Sequence, residues 1–141
     1  MIFPMRFEVQ VAASAGTRTP WTAQADSLPP ILSAIPPEFM GPGGGYSPED
    51  LFAISVVNCL IATFKVYVEN AKASFQQARG KAVLTVDKQG AGLALTQIDI
   101  HLDVTGASDP TRVKTILEAA IRDCAVSNSI KSGKTFHTTV S

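Results

Sequence analysis

The sequence predicts a single α+β domain over residues 1–141, and three observations carry that expectation. Segments of period-two alternation stand apart from two stretches with helical spacing, strands and helices come in runs without strict alternation, and 45% hydrophobic residues in 141 suffice for one packed core. Internal repeats and low-complexity tracts are absent, and no segment reads as a linker.

Residues 6–14 alternate polar and apolar side chains and run into the turn-rich Ala15-Gly16-Thr17-Arg18-Thr19-Pro20, the first arm of a hairpin whose return is Trp21 to Asp26. After Pro29-Pro30, Ile31 to Ile35 supplies a third strand before Pro36-Pro37 stops it. Gly41-Pro42-Gly43-Gly44-Gly45 is expected as a mobile, hinge-like loop. It lacks the Gly-Lys-Ser/Thr ending of a phosphate-binding loop. Ser47-Pro48-Glu49-Asp50 starts a helix: Ser47 caps it, Pro48 suits the first turn, and the carboxylates complement the positive end of the dipole. From Leu51 to about Asn70 this helix is apolar on nearly every side, which predicts burial all round and a central place in the fold.

Lys81 to Asp87 and Ala94 to Val104 are two strands joined through Gly90-Ala91-Gly92. In the second, Ile98, Ile100, Leu102 and Val104 share a core face, while Gln97, Asp99, His101 and Asp103 share a wet one. A second helix begins at Asp109-Pro110, and Val113, Ile116, Leu117, Ala120, Ile121 and Cys124 make its apolar face. Lys134 to Val140 forms a final strand.

Charge excludes several function classes. Twelve basic and twelve acidic residues, with no run of like sign, make no field for nucleic acid or an anionic membrane. The N-terminus has no signal-peptide pattern, and the apolar stretch Leu51 to Phe64 is shorter than a membrane span, so a soluble cytoplasmic protein is expected. His101 and His137 show no metal-ligand spacing with either cysteine, and neither metal nor cofactor is implied.

In a reducing cytoplasm the two cysteines, Cys59 and Cys124, are free, reactive or metal-bound in preference to a permanent bridge. Each sits on a buried helical face, where a thiol commonly serves as a small core hydrophobe and an apolar interior raises its pKa. Reactivity therefore calls for a cationic neighbour. Arg112 and Arg122 fall on a solvated helix side, Arg6 and Arg79 flank strands, and Arg18 lies in a turn from which it can fold over a helix; Glu49 is most simply a dipole partner.

Gly-Gly-Gly-Tyr46-Ser47-Pro48-Glu49-Asp50-Leu51-Phe52, then Asn58-Cys59, then Asp123-Cys124-Ala125-Val126-Ser127-Asn128, resemble the OsmC/Ohr family over most of the chain. The resemblance implies an intertwined homodimer with two sites at the subunit interface. It also implies a peroxidatic Cys59, a resolving Cys124 and a catalytic Glu49. Arg18 matches the arginine of the organic-hydroperoxide branch, and the segment Glu38-Phe39-Met40 lacks the arginine of the osmotically induced branch, which places the chain nearer the Ohr side. Two positions depart from that pattern: Thr17 replaces a glycine, and Ala125 replaces the proline after the resolving cysteine. The implied activity is reduction of organic hydroperoxides to alcohols through a Cys59 sulfenic acid and a Cys59–Cys124 disulfide, reopened by a dithiol reductant such as a lipoyl group. Phe39, Phe52 and Phe64 are candidates to line an apolar approach. The competing readings are a non-catalytic member of the fold that binds an apolar ligand or senses redox state, and a thiol metal-binding protein. On a straight helix Glu49 and Cys59 are separated by ~15 Å of rise, so either the helix breaks or Glu49 serves the other chain's thiol, and the second is favoured.

Overall fold

The computed structural model describes all residues, 1–141, and they divide into two compact units, Met1–Leu51 and Phe52–Ser141. The boundary falls inside a helix and not in a linker.

In the first unit β1 (Val9–Ala12), β2 (Trp21–Ala25) and β3 (Ile31–Ser33) form an antiparallel sheet in that order. The turn between β1 and β2 closes with Thr19 N–H donating to the Gly16 carbonyl at 3.2 Å, and Gly16 holds φ 109°, a region that favours glycine. β3 ends at Ser33, short of the expected Ile35, and a 3-10 turn, Pro37–Phe39, follows. The glycine loop is tied down, contrary to the expectation of a mobile hinge. Gly41 and Gly43 N–H donate to the Pro36 and Ile35 carbonyls at 3.0 and 3.1 Å. A Cβ on Gly41 would stand 2.1 Å from the Ile35 carbonyl oxygen, so only glycine permits this fastening.

Helix α1 (Pro48–Asn70) begins in a reciprocal cap: Ser47 Oγ accepts from Asp50 N–H at 3.0 Å, and Asp50 Oδ2 accepts from Ser47 N–H at 2.9 Å. It runs unbroken for 23 residues, beyond the Leu51–Phe64 stretch judged too short for a membrane. By length and composition alone, with mean hydropathy 1.9 over a window, it passes that test. The expectation of burial all round is corrected. Val56, Leu60, Phe64 and Val68 are buried, whereas Ile54 and Val66 are 40% and 55% exposed, with Asn58 and Ala62 on the same open stripe. The physical reason is supply: the sheet and helices of Phe52–Ser141 cover one side of the helix and have nothing left for the other.

The second sheet has the order β4 (Gln77–Gln89), β5 (Gly92–Thr105), β6 (Gly133–Val140). β4 and β5 are antiparallel, whereas β6 runs parallel to β5. A parallel neighbour requires a crossover, and α2 (Pro110–Asp123) with α3 (Ala125–Asn128) supplies it. From the central strand Ile98, Ile100, Leu102 and Val104, none above 2% exposed, join Val56, Leu60, Phe64, Val113, Leu117 and Ala120 in one core. On β4, a Cβ at Gly80 would come within 2.5 Å of Val57 Cγ1, so the absent side chain lets α1 settle onto the sheet just before Cys59.

The start of α2 is as expected: Asp109 Oδ1 accepts from Arg112 N–H at 3.2 Å and Pro110 occupies the first turn. Asp109→Ala is expected to lower stability by about 1 kcal/mol. An unchanged urea midpoint would show that solvent replaces the cap without loss.

Candidate active site

Cys59 lies at mid-length on α1, half-buried, and Cys124 is 1% exposed; both are free thiols. Cys124 is not the last residue of α2, as its apolar spacing suggested. It sits at a break, with φ −64° and ψ 111°, capping the end of α2 and the start of α3. That extended residue turns the chain so that Cys124 and the N–H groups of Ala125 and Val126 reach the Cys59 sulfur.

The break is held from several sides. Tyr67 Oη donates to Asp123 Oδ2 at 2.8 Å, Asn128 Nδ2 donates to the Arg122 carbonyl at 2.9 Å, and Asn128 N–H donates to the Cys124 carbonyl at 3.0 Å. Thr63, one turn after Cys59, donates through Oγ1 to the Cys59 carbonyl at 2.9 Å. Cys59, Thr63 and Tyr67 thus form a stripe at four-residue spacing along α1.

The two sulfurs differ electrostatically. Burial pushes the Cys59 thiol up, but donation from Val126 N–H, the Cys124 thiol and Ala125 N–H outweighs it, and Cys59 titrates below an ordinary thiol. Burial pushes Cys124 up as well. There Ser127 N–H offsets only part of the effect, and the Cys59 thiolate helps Cys124 keep its proton, so Cys124 titrates above an ordinary thiol. One sulfur is therefore the readier to carry a thiolate, and its neighbour the readier to keep its proton. Since a lower pKa means more thiolate at a given pH, Cys59 alkylation should reach half its limiting rate at lower pH than the thiols of the unfolded chain, and Cys124 at higher pH. Peptide mass mapping after timed alkylation measures both. Coincident midpoints would contradict the asymmetry.

The other expected site residues are placed as follows. Glu49, in the first turn of α1, has an Oε2 closed to solvent that no hydrogen bond satisfies. Arg18 is exposed in its turn and no ion pair joins it to Glu49; the ion pair of the chain is Arg122–Asp123 at 3.2 Å. Phe39 is exposed on its 3-10 turn. Phe52 lines an open groove of about 500 Å³ with Leu95, Ile130, Lys131 and Ser132. Phe64 is 0% exposed and stacks on Phe75 with centroids 5.0 Å apart, inside the core. Thr63, Tyr67 and the Val126 N–H escaped the reading of the sequence. Helical spacing from Cys59 marks the two side chains, whereas the backbone donors depend on a helix break that the apolar spacing of α2 conceals.

The sequence model of OsmC-like proteins matches residues 41–139. An uncharacterised protein of Acinetobacter baylyi is 24% identical over 124 residues, which cover 86% of this chain and 84% of that one. Among solved structures, an OsmC-like protein of unknown function from Vibrio cholerae superposes with a TM-score of 0.83 at 15% identity, covering 96% of this chain and 100% of the other. An organic hydroperoxide resistance protein from Elizabethkingia anophelis superposes with a TM-score of 0.77 at 17% identity, covering 99% of each. At these identities the structural likeness speaks to the fold, and the match from the glycine loop through both cysteines to the last strand speaks to descent: the chain belongs to the family of OsmC-like proteins.

Proposed function

We propose that the protein is a soluble, cytoplasmic thiol peroxidase that reduces organic hydroperoxides and protects against oxidative stress. The observation that carries this is the pair itself: a half-buried Cys59 beside a second thiol held at a helix break, where that thiol and the backbone N–H groups of Val126 and Ala125 favour its thiolate. The Cys59 thiolate attacks the distal peroxide oxygen; the O–O bond breaks, the alkoxide takes a proton and leaves as an alcohol, and Cys59 becomes a sulfenic acid. Cys124 condenses with it, expelling water and forming the disulfide, and an external dithiol, for instance a lipoyl group, then reduces that disulfide. The hydroperoxide resistance protein of similar fold supports the choice of substrate class.

The test is anaerobic titration of the reduced chain with an alkyl hydroperoxide, following thiol loss and intramolecular disulfide formation by mass. Stoichiometric consumption with loss of two hydrogens is expected. A protein that binds the hydroperoxide without thiol loss would instead fit the non-catalytic reading.

A homodimer completes the site in this reading. The open stripe of α1, Ile54, Asn58, Ala62 and Val66, offers a second copy an apolar seat, and Glu49 holds a carboxylate oxygen in need of a donor. With α1 unbroken, Glu49 serves the partner's thiol and not its own, gripping an Arg18 guanidinium that faces the sulfur. Light scattering at micromolar concentration should give twice the chain mass, and a monomer would remove this part of the proposal. Arg18→Ala should raise the Cys59 alkylation midpoint and slow peroxide reduction at neutral pH, with recovery in alkali; Arg18→Lys should rescue only in part, since an ammonium keeps the charge but loses the planar fork. An unaltered pH profile in Arg18→Ala would assign Arg18 to the solvated surface.

A further inference from the structure

The wet face of the second sheet brings together two side chains that lie 36 residues apart in sequence. His101 on β5 stands directly opposite His137 on the parallel strand β6, and their rings stack with centroids 4.5 Å apart and planes at 17°. Both are exposed. We propose that His101 and His137 form a binding site for a borderline divalent cation of the zinc, nickel or copper(II) class, separate from the cysteine pair and independent of the peroxidase reading.

The chemistry of the donors sets the class. Neutral imidazole is the preferred ligand of these cations, at metal–nitrogen distances of about 2.0–2.1 Å, so two nitrogens on one ion lie roughly 3 Å apart. Rings already 4.5 Å apart reach that separation by side-chain rotation, which exposure leaves free, with no movement of the strands. Parallel pairing matters, because it fixes the two Cβ atoms in register on one face and so provides the bidentate arrangement in advance.

The neighbours favour a cation at one end of the pair. Across on β4, Arg79 stands opposite Asp103 and Lys81 opposite His101, while Asp99 is opposite Val83 and makes no ion pair, so the Lys81 ammonium opposes a cation at His101 and the free Asp99 carboxylate favours one. Asp99 is also oriented: its Oδ1 accepts from Gln97 Nε2 at 3.0 Å and from the Thr135 hydroxyl, leaving Oδ2 without a protein donor. A carboxylate fixed two residues from His101 adds favourable charge and can accept from water on the ion. No cluster of three or more ligating side chains occurs here, so water completes the coordination and the site is an open, exchanging one and not a structural zinc cage.

The test uses the full, reduced chain and Zn²⁺ alone, titrated by calorimetry, with the imidazole proton signals followed in parallel by NMR. One ion per chain is expected in the micromolar range, shifting the signals of both histidines. His101→Ala and His137→Ala should each weaken binding at least about tenfold, and Asp99→Asn by less, while Cys59→Ser/Cys124→Ser keeps it. Absence of binding, binding that survives both histidine substitutions, or binding lost only with the cysteines would overturn the proposal; the last of these would make the thiols the metal site. None of these readouts passes through peroxide turnover, so failure of the peroxidase reading leaves this test intact.

Discussion

Cys59→Ser is expected to bring hydroperoxide reduction down to the background of the uncatalysed reaction, a loss of at least about 10³-fold, because a serine hydroxyl has no thiolate to offer at neutral pH. The fold should survive the change, since the half-buried side chain differs only at its last atom and the donors around it also suit an oxygen. Cys124→Ser should behave differently. The attack does not need Cys124, so initial oxidation continues for one round and stops at a sulfenic acid that dimedone traps, with further peroxide driving it to sulfinic acid. The serine keeps a hydroxyl where a thiol donated to Cys59, so the first-round rate should stay within a few fold of wild type. Stopped-flow oxidation and mass spectrometry separate the two variants. Equal initial rates in wild type and Cys59→Ser would remove Cys59 from the chemistry, and multiple turnovers in Cys124→Ser would assign resolution to an external thiol.

That pair of expectations rests on a site only partly legible in the sequence. Ser47-Pro48-Glu49-Asp50 announces a helix start because a cap, a first-turn proline and acidic residues act locally, and the structure forms the reciprocal Ser47–Asp50 bonds there. The alternation of Ile98, Ile100, Leu102 and Val104 identifies the buried face of β5 for the same reason: side-chain direction follows from strand geometry alone. What depends on distant pairing was hidden. Nothing local makes β6 parallel to β5, and so nothing local places His101 beside His137. The break at Cys124 was hidden for another reason. The residue satisfies the apolar period of α2, so spacing extends the helix through it, yet the extended conformation there is what aims the backbone donors at Cys59. Helix α1 shows the converse limit: its all-round apolar pattern was legible, but a pattern cannot say whether its cover comes from the same chain.

Phe64→Ala should be the most destabilising of the substitutions considered, by about 3–5 kcal/mol, because it removes a fully buried ring and leaves a cavity that rigid neighbours cannot close. Phe64 belongs to the buried face of α1 with Val56, Leu60 and Val68, packs in the core with Ile98, Ile100 and Leu117, and stacks on Phe75 at an interplanar angle of 24°. The stack adds ~0.5–1.5 kcal/mol beyond the area buried, and its loss leaves the Phe75 ring without its partner. Urea unfolding at one fixed protein concentration measures the change, the concentration being held because a dimer's midpoint depends on it. The same measurement decides between two roles for this residue. A core ring, once removed, lowers the midpoint strongly and alters peroxide kinetics only as far as the fold loosens. A ring lining a substrate approach would leave the midpoint within about 1 kcal/mol of wild type and raise KM for bulky hydroperoxides more than for small ones. Complete burial favours the first result. The second would mean that the core opens around Phe64 when substrate enters, and would return it to the pocket together with Phe52.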